Sequence, residues 1–276
     1  MITFRSSGVG NLLVGFKSNT AEARLTELQQ KSYLELCDKE VNGTLTAAQS
    51  KKLNGFTDKI MAENELSETA KNFIFETWLK KEYGFSENIS TKQIQKGIEA
   101  EDESLMLLSE ITGRVLIKNQ KHFIYDCGLL SGTPDTIEDG TVIDVKSSWS
   151  PYTFMKADLK SIYEWQLRAY MILTNTQKAE LSYCLVDMPI LQFADIERRA
   201  FWQGGIIDPA SDEAIKITDE LTNNYIYSTN KNYTKEERIK TYQIERCADK
   251  DALLFEALKK AADFAETLTL NQKFNV

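Results

Sequence analysis

Gly132-Thr133-Pro134-Asp135, followed nine positions after its aspartate by Asp144-Val145-Lys146, is the stretch on which the fold turns. The second carboxylate and the lysine lie in a β-branched run, Thr141, Val142, Ile143, Asp144, Val145, Lys146, which favours a strand. Side chains alternate across a strand, so Ile143 and Val145 point to one face while Asp144 and Lys146 point together to the other. Thr136 to Gly140 reads as a hairpin connection whose Asp139-Gly140 is a strong turn signal, and it folds Asp135 back beside Asp144. Two carboxylates and an ammonium then share one small site. Carboxylate oxygens suit a hard cation such as magnesium, and the lysine can orient or help deprotonate a water at a phosphodiester. The same residues also fit a solvated strand face carrying a weak ion pair. The flanking helices decide between the two.

Upstream, a helix is predicted from about Thr91 to Ile111. Its apolar stripe falls at Ile94, Ile98, Leu105 and Leu108, and Glu101 occupies the position that completes the 4-3-4-3 spacing. A glutamate in an apolar seam is expensive to bury unless it is paired or ligates a metal; a shallow seam would let it reach water. Glu99, Asp102 and Glu103 lie off that line and are predicted to be solvated. Downstream, a helix from about Ala157 to Thr174 has the seam Leu159, Tyr163, Tyr170 and Leu173, interrupted in the same way by Gln166. A buried glutamine needs partners, which a site carboxylate, a lysine or a phosphate could provide, as could Tyr170 one turn later in a purely structural pair.

Between these helices, Arg114 to Lys118 and Lys121 to Cys127 read as two short strands around Asn119-Gln120, and Leu181, Tyr183 and Leu185 alternate as a further strand ending near Pro189. The order of helix, three or more strands, helix and strand predicts an α/β core with a mixed β-sheet flanked by helices. The first third is helical: Asn19-Thr20 caps a helix carrying Leu25, Leu28 and Leu36, Thr46 caps one carrying Leu53 and Ile60, and Ser67 caps one running through Trp78 to Gly84. From about Asp195 the chain is polar and mainly helical, with scattered Lys235, Arg238, Lys240 and Arg246 and a loop from Asn223 to Tyr233. With only 4 prolines and 13 glycines in 276 residues and no linker, one domain is expected: a helical part over 1–90, a core over 91–190 and a helical extension over 191–276.

The formal charge of −8 argues against coating nucleic acid by bulk electrostatics, yet a carboxylate site that binds a cation can be acidic overall. Cys37, Cys127, Cys184 and Cys247 are scattered, which disfavours zinc and iron–sulfur sites and favours a reducing compartment. The N-terminus lacks the charge and hydropathy pattern of a secretory signal, and no run has the length of a membrane span, so a cytoplasmic location is expected. His122 is the single histidine and is assigned no role.

Glu101 within Gly97-Ile-Glu-Ala-Glu101, Gly-Thr-Pro-Asp135, Asp144-Val-Lys146 and Gln166-Leu-Arg-Ala-Tyr170 together resemble the successive motifs of the PD-(D/E)XK nuclease superfamily. Within it the chain resembles the YqaJ, lambda-exonuclease and RecB-like branch, over about Arg5 to Pro189. The resemblance implies a restriction-endonuclease-like core with helical N- and C-terminal additions. It implies Asp135, Asp144 and Glu101 as metal ligands, with the Val145 carbonyl as a fourth contact. Lys146 would position the attacking water, and Gln166 and Tyr170 would organise the site or touch the phosphate. Phe4-Arg5-Ser6-Ser7-Gly8 is similar to a short motif placed near the DNA end, where Arg5, Ser6 and Ser7 would contact phosphate.

The expected activity is magnesium-dependent hydrolysis of DNA from the ends of linear duplex, with manganese as a substitute and no iron–sulfur cluster, in phage-type recombination or repair. DNA is the expected partner, a single-strand annealing protein and a homo-oligomer are possible associates, and a phage-encoded chain would work in the host cytoplasm. An endonuclease of the same superfamily and a catalytically silent DNA-binding protein of this fold are the alternatives.

Overall fold

The computed structural model describes residues 2–87 and 91–270. Met1 and the last six residues of the predicted extension lie outside the described residues, as do positions 88–90. The chain runs β1 (Phe4–Arg5), α1 (Ala21–Arg24), α2 (Glu27–Val41), α3 (Ala47–Ile60), α4 (Glu68–Tyr83), α5 (Lys92–Glu99), α6 (Glu101–Thr112), β2 (Phe123–Ile124), β3 (Leu130–Gly132), β4 (Thr136–Glu138) and β5 (Thr141–Ser147). It continues with α7 (Pro151–Met155), α8 (Ser161–Thr174), β6 (Lys178–Cys184), α9 (Ile190–Gly204), α10 (Asp212–Tyr225), β7 (Ile239–Glu245) and α11 (Ala248–Glu266).

The main sheet has the order β4-β5-β6-β7. β4 and β5 pair antiparallel across Asp139 and Gly140, both at positive φ, 45° and 71°. Only glycine and a few polar residues adopt that conformation readily, which is why this dipeptide makes the turn. β5 and β6 are parallel, with Asp144 opposite Leu181, and α7 and α8 form the crossover that parallel pairing requires. β7 closes the far edge antiparallel to β6. A smaller sheet, β1-β3-β2, carries β1 parallel to β3 and β2 antiparallel to it. The expected mixed α/β architecture is therefore present.

β5 is covered on both faces, and its alternation sorts the coverings. Ile143 and Val145 pack on Leu105 and Leu108 of α6. Val142 packs on Leu167, Tyr170 and Met171 of α8, together with Ala179 and Leu181 of β6. α8 is in turn buried on its back by the largest core, in which Trp165 and Ala169 meet Phe4, Leu12, Ile74, Leu130 and Leu254, Ala257 and Leu258 of α11.

Several sequence expectations change. The helix predicted from Thr91 to Ile111 is two helices, broken where Ala100 takes φ −100° and ψ 7°; Ile94 and Ile98 consequently face solvent while Leu105 and Leu108 are buried. Thr20 caps only the four residues of α1, because Thr26 forms its own capping box with Gln29 and starts α2 afresh. Arg114 to Lys118 is not a strand. Val115 and Ile117 are exposed and Leu116 turns inward, and the segment is held by Thr136 Oγ1 donating to the Ile117 carbonyl rather than by a ladder. Of Lys121 to Cys127 only Phe123–Ile124 pairs. Three of the five residues predicted as hairpin connection, Thr136 to Glu138, are strand β4.

The region after Asp195 is also more than helices on the outside. It contributes β7, and α11 buries Leu253, Leu254, Ala257, Leu258 and Ala261. Three of its scattered bases are tied into that structure: Arg238 is buried, Lys240 donates to the Ala157 carbonyl at 2.5 Å, and Arg246 pairs with Asp251 at 2.6 Å. If α11 belongs to the core that backs α8, Leu258→Ala should lower the stability of the whole chain by about 2–5 kcal/mol in urea melts, as a buried leucine does elsewhere. A single unfolding transition displaced to lower urea is the expected result; an unchanged midpoint would contradict the packing.

Candidate active site

Asp144, in the middle of β5, is 1% exposed and lies on the face covered by α8. Its Oδ1 accepts a hydrogen bond from Gln166 Nε2 at 3.1 Å, and the same amide nitrogen donates to Tyr170 Oη at 3.1 Å. One turn of α8 separates these two residues, so both reach the strand from one helical face. Lys146, two residues along the same strand face, brings its Nζ to 2.5 Å from Asp144 Oδ2 as an ion pair. The Lys146 ammonium also lies 5.3 Å from the centre of the Tyr163 ring.

Asp135 precedes β4 and enters from the edge. Its Oδ2 accepts the Val145 amide at 2.8 Å, so the carboxylate replaces the ladder partner that β4 is too short to supply. The amide and carbonyl of one strand residue face the same neighbour, which directs the Val145 carbonyl toward Asp135 as well. Burial, and then the Asp144 charge, push the Asp135 carboxyl up to about 8. Burial alone would lower Lys146, but the Asp144 and Asp135 carboxylates outweigh it and hold the ammonium above its ordinary value. Burial and the Asp144 charge likewise raise the Tyr170 hydroxyl.

Glu101 opens α6 and stands at the rim of this pair, where its charge is among those that raise Asp135. Its carboxylate pairs with Lys118 at 3.1 Å, and Lys118 also reaches Asp102 at 2.8 Å. It is thus partly exposed and salt-bridged, not sunk in a continuous apolar seam. Glu99, Asp102 and Glu103 are exposed as expected. Among the described residues no three acidic, histidine or cysteine side chains stand close enough to cage an ion. What fits a hard cation is the adjacent Asp135 and Asp144, two carboxylates close enough for the charge of one to raise the other, with Glu101 beside them.

The N-terminal motif splits in two. Ser6 is buried, donates from Oγ to the Ser131 carbonyl at 3.0 Å, and abuts Gly132, where an added Cβ would fall 2.5 Å from Ser6 Oγ and 2.8 Å from the Tyr170 ring. Arg5 points the other way, into a cavity of about 720 Å³ between α4 and the small sheet that His122, Lys80 and Phe85 also line. Ser7 is exposed. Sequence reasoning missed Lys118, and it missed Asn119, whose amide donates to the Asp135 carbonyl at 2.7 Å and whose side chain donates to the Pro134 carbonyl at 3.0 Å. It assigned no role to His122, whose Nδ1 lies 3.0 Å from Thr133 Oγ1. Nothing in the local pattern marks these contacts.

No protein-family model matches the chain, and no curated protein matches it. Solved structures do. A phage-related exonuclease from Haemophilus somnus 129PT superposes with a TM-score of 0.56 at 22% identity, over 76% of this chain and 85% of that one. An alkaline exonuclease, LHK-Exo, from Laribacter hongkongensis superposes with a TM-score of 0.53 at 12% identity, over 96% of this chain and 88% of that one. The chain has the fold of these exonucleases. At such identities the likeness speaks for the fold alone.

Two expected outcomes test the site's geometry. Gly132→Ala should cost about 1–3 kcal/mol through overpacking against Ser6 and Tyr170, read in thermal or urea melts, whereas wild-type stability would contradict the close approach. Asp135 tests the electrostatics. Its folded value lies above the ordinary carboxylate value, so the folded chain keeps a proton that the unfolded chain releases, and this contribution is lost as pH rises from about 4 to about 8. In chelator, Asp135→Asn should therefore melt above wild type at pH 8, by on the order of 3 °C, with the gap closing toward pH 5. A variant that melts lower at pH 8 would refute the crowding of carboxylates.

Proposed function

We propose that the protein is a divalent-metal-dependent nuclease acting on DNA, with magnesium as its working ion and manganese as a substitute, and that it degrades linear duplex from an end. The observation that carries the reading is Asp144, a buried carboxylate with Lys146 on one oxygen and Gln166 on the other and the Asp135 carboxyl beside it, in a chain whose fold is like that of two exonucleases. Asp135, Asp144, Glu101 and the Val145 carbonyl would hold the ion. When bound, the ion supplies positive charge against the non-bridging phosphate oxygens and lowers the pKa of a water.

The chain's own residues do the rest. Gln166 fixes the Asp144 carboxylate through Oδ1 and leaves Oδ2 to Lys146. Lys146 presents an ammonium that can orient the attacking water and stabilise charge developing on phosphorus-bound oxygen, held in place by Asp144 and the Tyr163 ring. Tyr170 Oη accepts from Gln166, so its own proton remains available to a phosphate oxygen. Water attacks phosphorus, the bond to the leaving oxygen breaks, and that oxygen takes up a proton. Ser6 and Tyr170 both close on Gly132, and Arg5 and Ser7 are the exposed members of the N-terminal motif that would meet a phosphate of the DNA end. A role in phage-type recombination, beside a single-strand annealing protein, is the setting the motif resemblance favours.

A 5′-phosphorylated linear duplex and a closed circle of the same sequence, each offered with magnesium, provide the test. Wild type should consume the linear DNA and spare the circle, chelator should stop the reaction, and Asp144→Ala should lower the rate by on the order of 1,000-fold or more. Equal activity of Asp144→Ala and wild type would sink the site assignment. Cleavage of the circle would instead assign an endonuclease with the same site.

A further inference from the structure

Between α5 and α6 the chain kinks at Ala100, and Glu101 emerges from that kink. The residue that pins it from beneath is a lysine hidden from solvent. Lys96, on α5, is 1% exposed, and its Nζ donates to the Ser148 carbonyl at 2.8 Å, the Val186 carbonyl at 3.1 Å and the Trp149 carbonyl at 3.4 Å. An ammonium has three N–H donors, and each has a carbonyl here. Ser148 and Trp149 follow β5 and Val186 follows β6, so one cation straddles the C-terminal ends of the two parallel strands.

A second pin holds the same kink. Ser147 Oγ donates to the Ala100 carbonyl at 3.3 Å and lies 2.8 Å from Ser104 Oγ on α6. Ala100 itself is wholly buried against Leu107, Cys184 and Val186. Glu101 is therefore fixed between Lys96 below and Ser104 above, and Ser147 is the next residue after Lys146.

Burying a lysine is costly. Desolvation brings the Lys96 ammonium down to about 8, with Asp187 and Glu103 nearby offsetting part of the effect. A methionine of similar length would fill the space among the same helices without that penalty. What only the cation supplies is direction: three hydrogen bonds set where α5 ends relative to the strand that carries Asp144.

We propose that Lys96 is a positioning residue of the metal site, holding the α5–α6 kink on the ends of β5 and β6 so that Glu101 stands beside Asp135 and Asp144. The proposal rests on the reading of those three carboxylates as metal ligands. Outer groups that orient ligands are typically worth 10–100-fold in metal affinity.

Calorimetric titration of manganese or magnesium into wild type, Lys96→Met, Glu101→Ala and the double variant tests it. Lys96→Met should weaken metal binding by on the order of 10-fold, and the double variant should bind no more weakly than Glu101→Ala, because Lys96 acts through Glu101. Asn64→Ala serves as a control for loss of stability alone. Asn64 is buried between Lys17 and Glu256, and its variant should melt lower while keeping wild-type metal affinity. Wild-type affinity in Lys96→Met, with weakened binding in Glu101→Ala, would overturn the positioning role and leave the metal reading standing. Wild-type affinity in Glu101→Ala would remove the metal reading and this proposal with it. Should Lys96→Met fail to fold, Ser147→Ala releases the other pin without deleting a charge. Weakened metal binding there supports the clamp, and wild-type affinity overturns it.

Discussion

A carboxylate buried in the middle of a central strand is the constraint around which this molecule is arranged. Asp144 cannot remain charged among Val142, Leu167 and Leu181 without compensation, since an isolated ionised carboxylate is prohibitively costly to desolvate. The compensation comes from Lys146 along the strand and Gln166 from the helix above, while at the sheet edge the Asp135 carboxyl takes the Val145 amide and adds a like group. Each requires a separate element in a fixed place. The hairpin must turn at Asp139-Gly140, α8 must cross over between β5 and β6, and β4 must begin no earlier than Thr136.

Stability and chemistry are coupled because the two faces of β5 have different tasks. Ile143 and Val145 anchor the strand on α6, and the alternation that buries them is what directs Asp144 and Lys146 to α8. A one-residue slip in register would exchange the two pairs and lose both the core and the site. α8 is pressed onto the strand by Trp165 and Ala169 against β1, α4 and α11, so residues distant in sequence from the motifs still determine where Gln166 and Tyr170 stand. The third acidic residue comes from the other side. α6 packs on the apolar face of β5, and its first residue, Glu101, is near enough for its charge to raise Asp135.

What was legible in the sequence was local and periodic. The two-residue alternation of Thr141 to Lys146, the turn dipeptide, the cap at Ser67 and the lone polar Gln166 in an apolar helix each reflect rules that act within a few residues. Legibility ended where partners are far apart in the chain. β7 carries an alternating burial pattern, but its claim to be a strand comes from β6, more than fifty residues earlier. The kink at Ala100 was hidden because Ile94 and Ile98 extend the apolar spacing of α6, although they end up in solvent; a stripe states that residues share a face, not that the face is covered. Lys96 was silent for the converse reason. Lysine on a helix ordinarily signals solvent, and only the three carbonyls at the strand ends make its burial intelligible.

The charges of the site bear on its need for an ion. Glu101, Asp135 and Asp144 outnumber the one lysine that faces them from the strand, and Lys118 is shared with Asp102. A phosphodiester approaching this cluster brings further negative charge into a place where burial, and then the Asp144 charge, already raise the Asp135 carboxyl, on a chain whose formal charge is −8. Repulsion at such short range and low polarity is not screened away by salt. On the proposed reading, a divalent cation therefore does more than prepare a water. It reverses the sign of the site, so the same carboxylates that exclude a phosphate in its absence hold the charge that admits one.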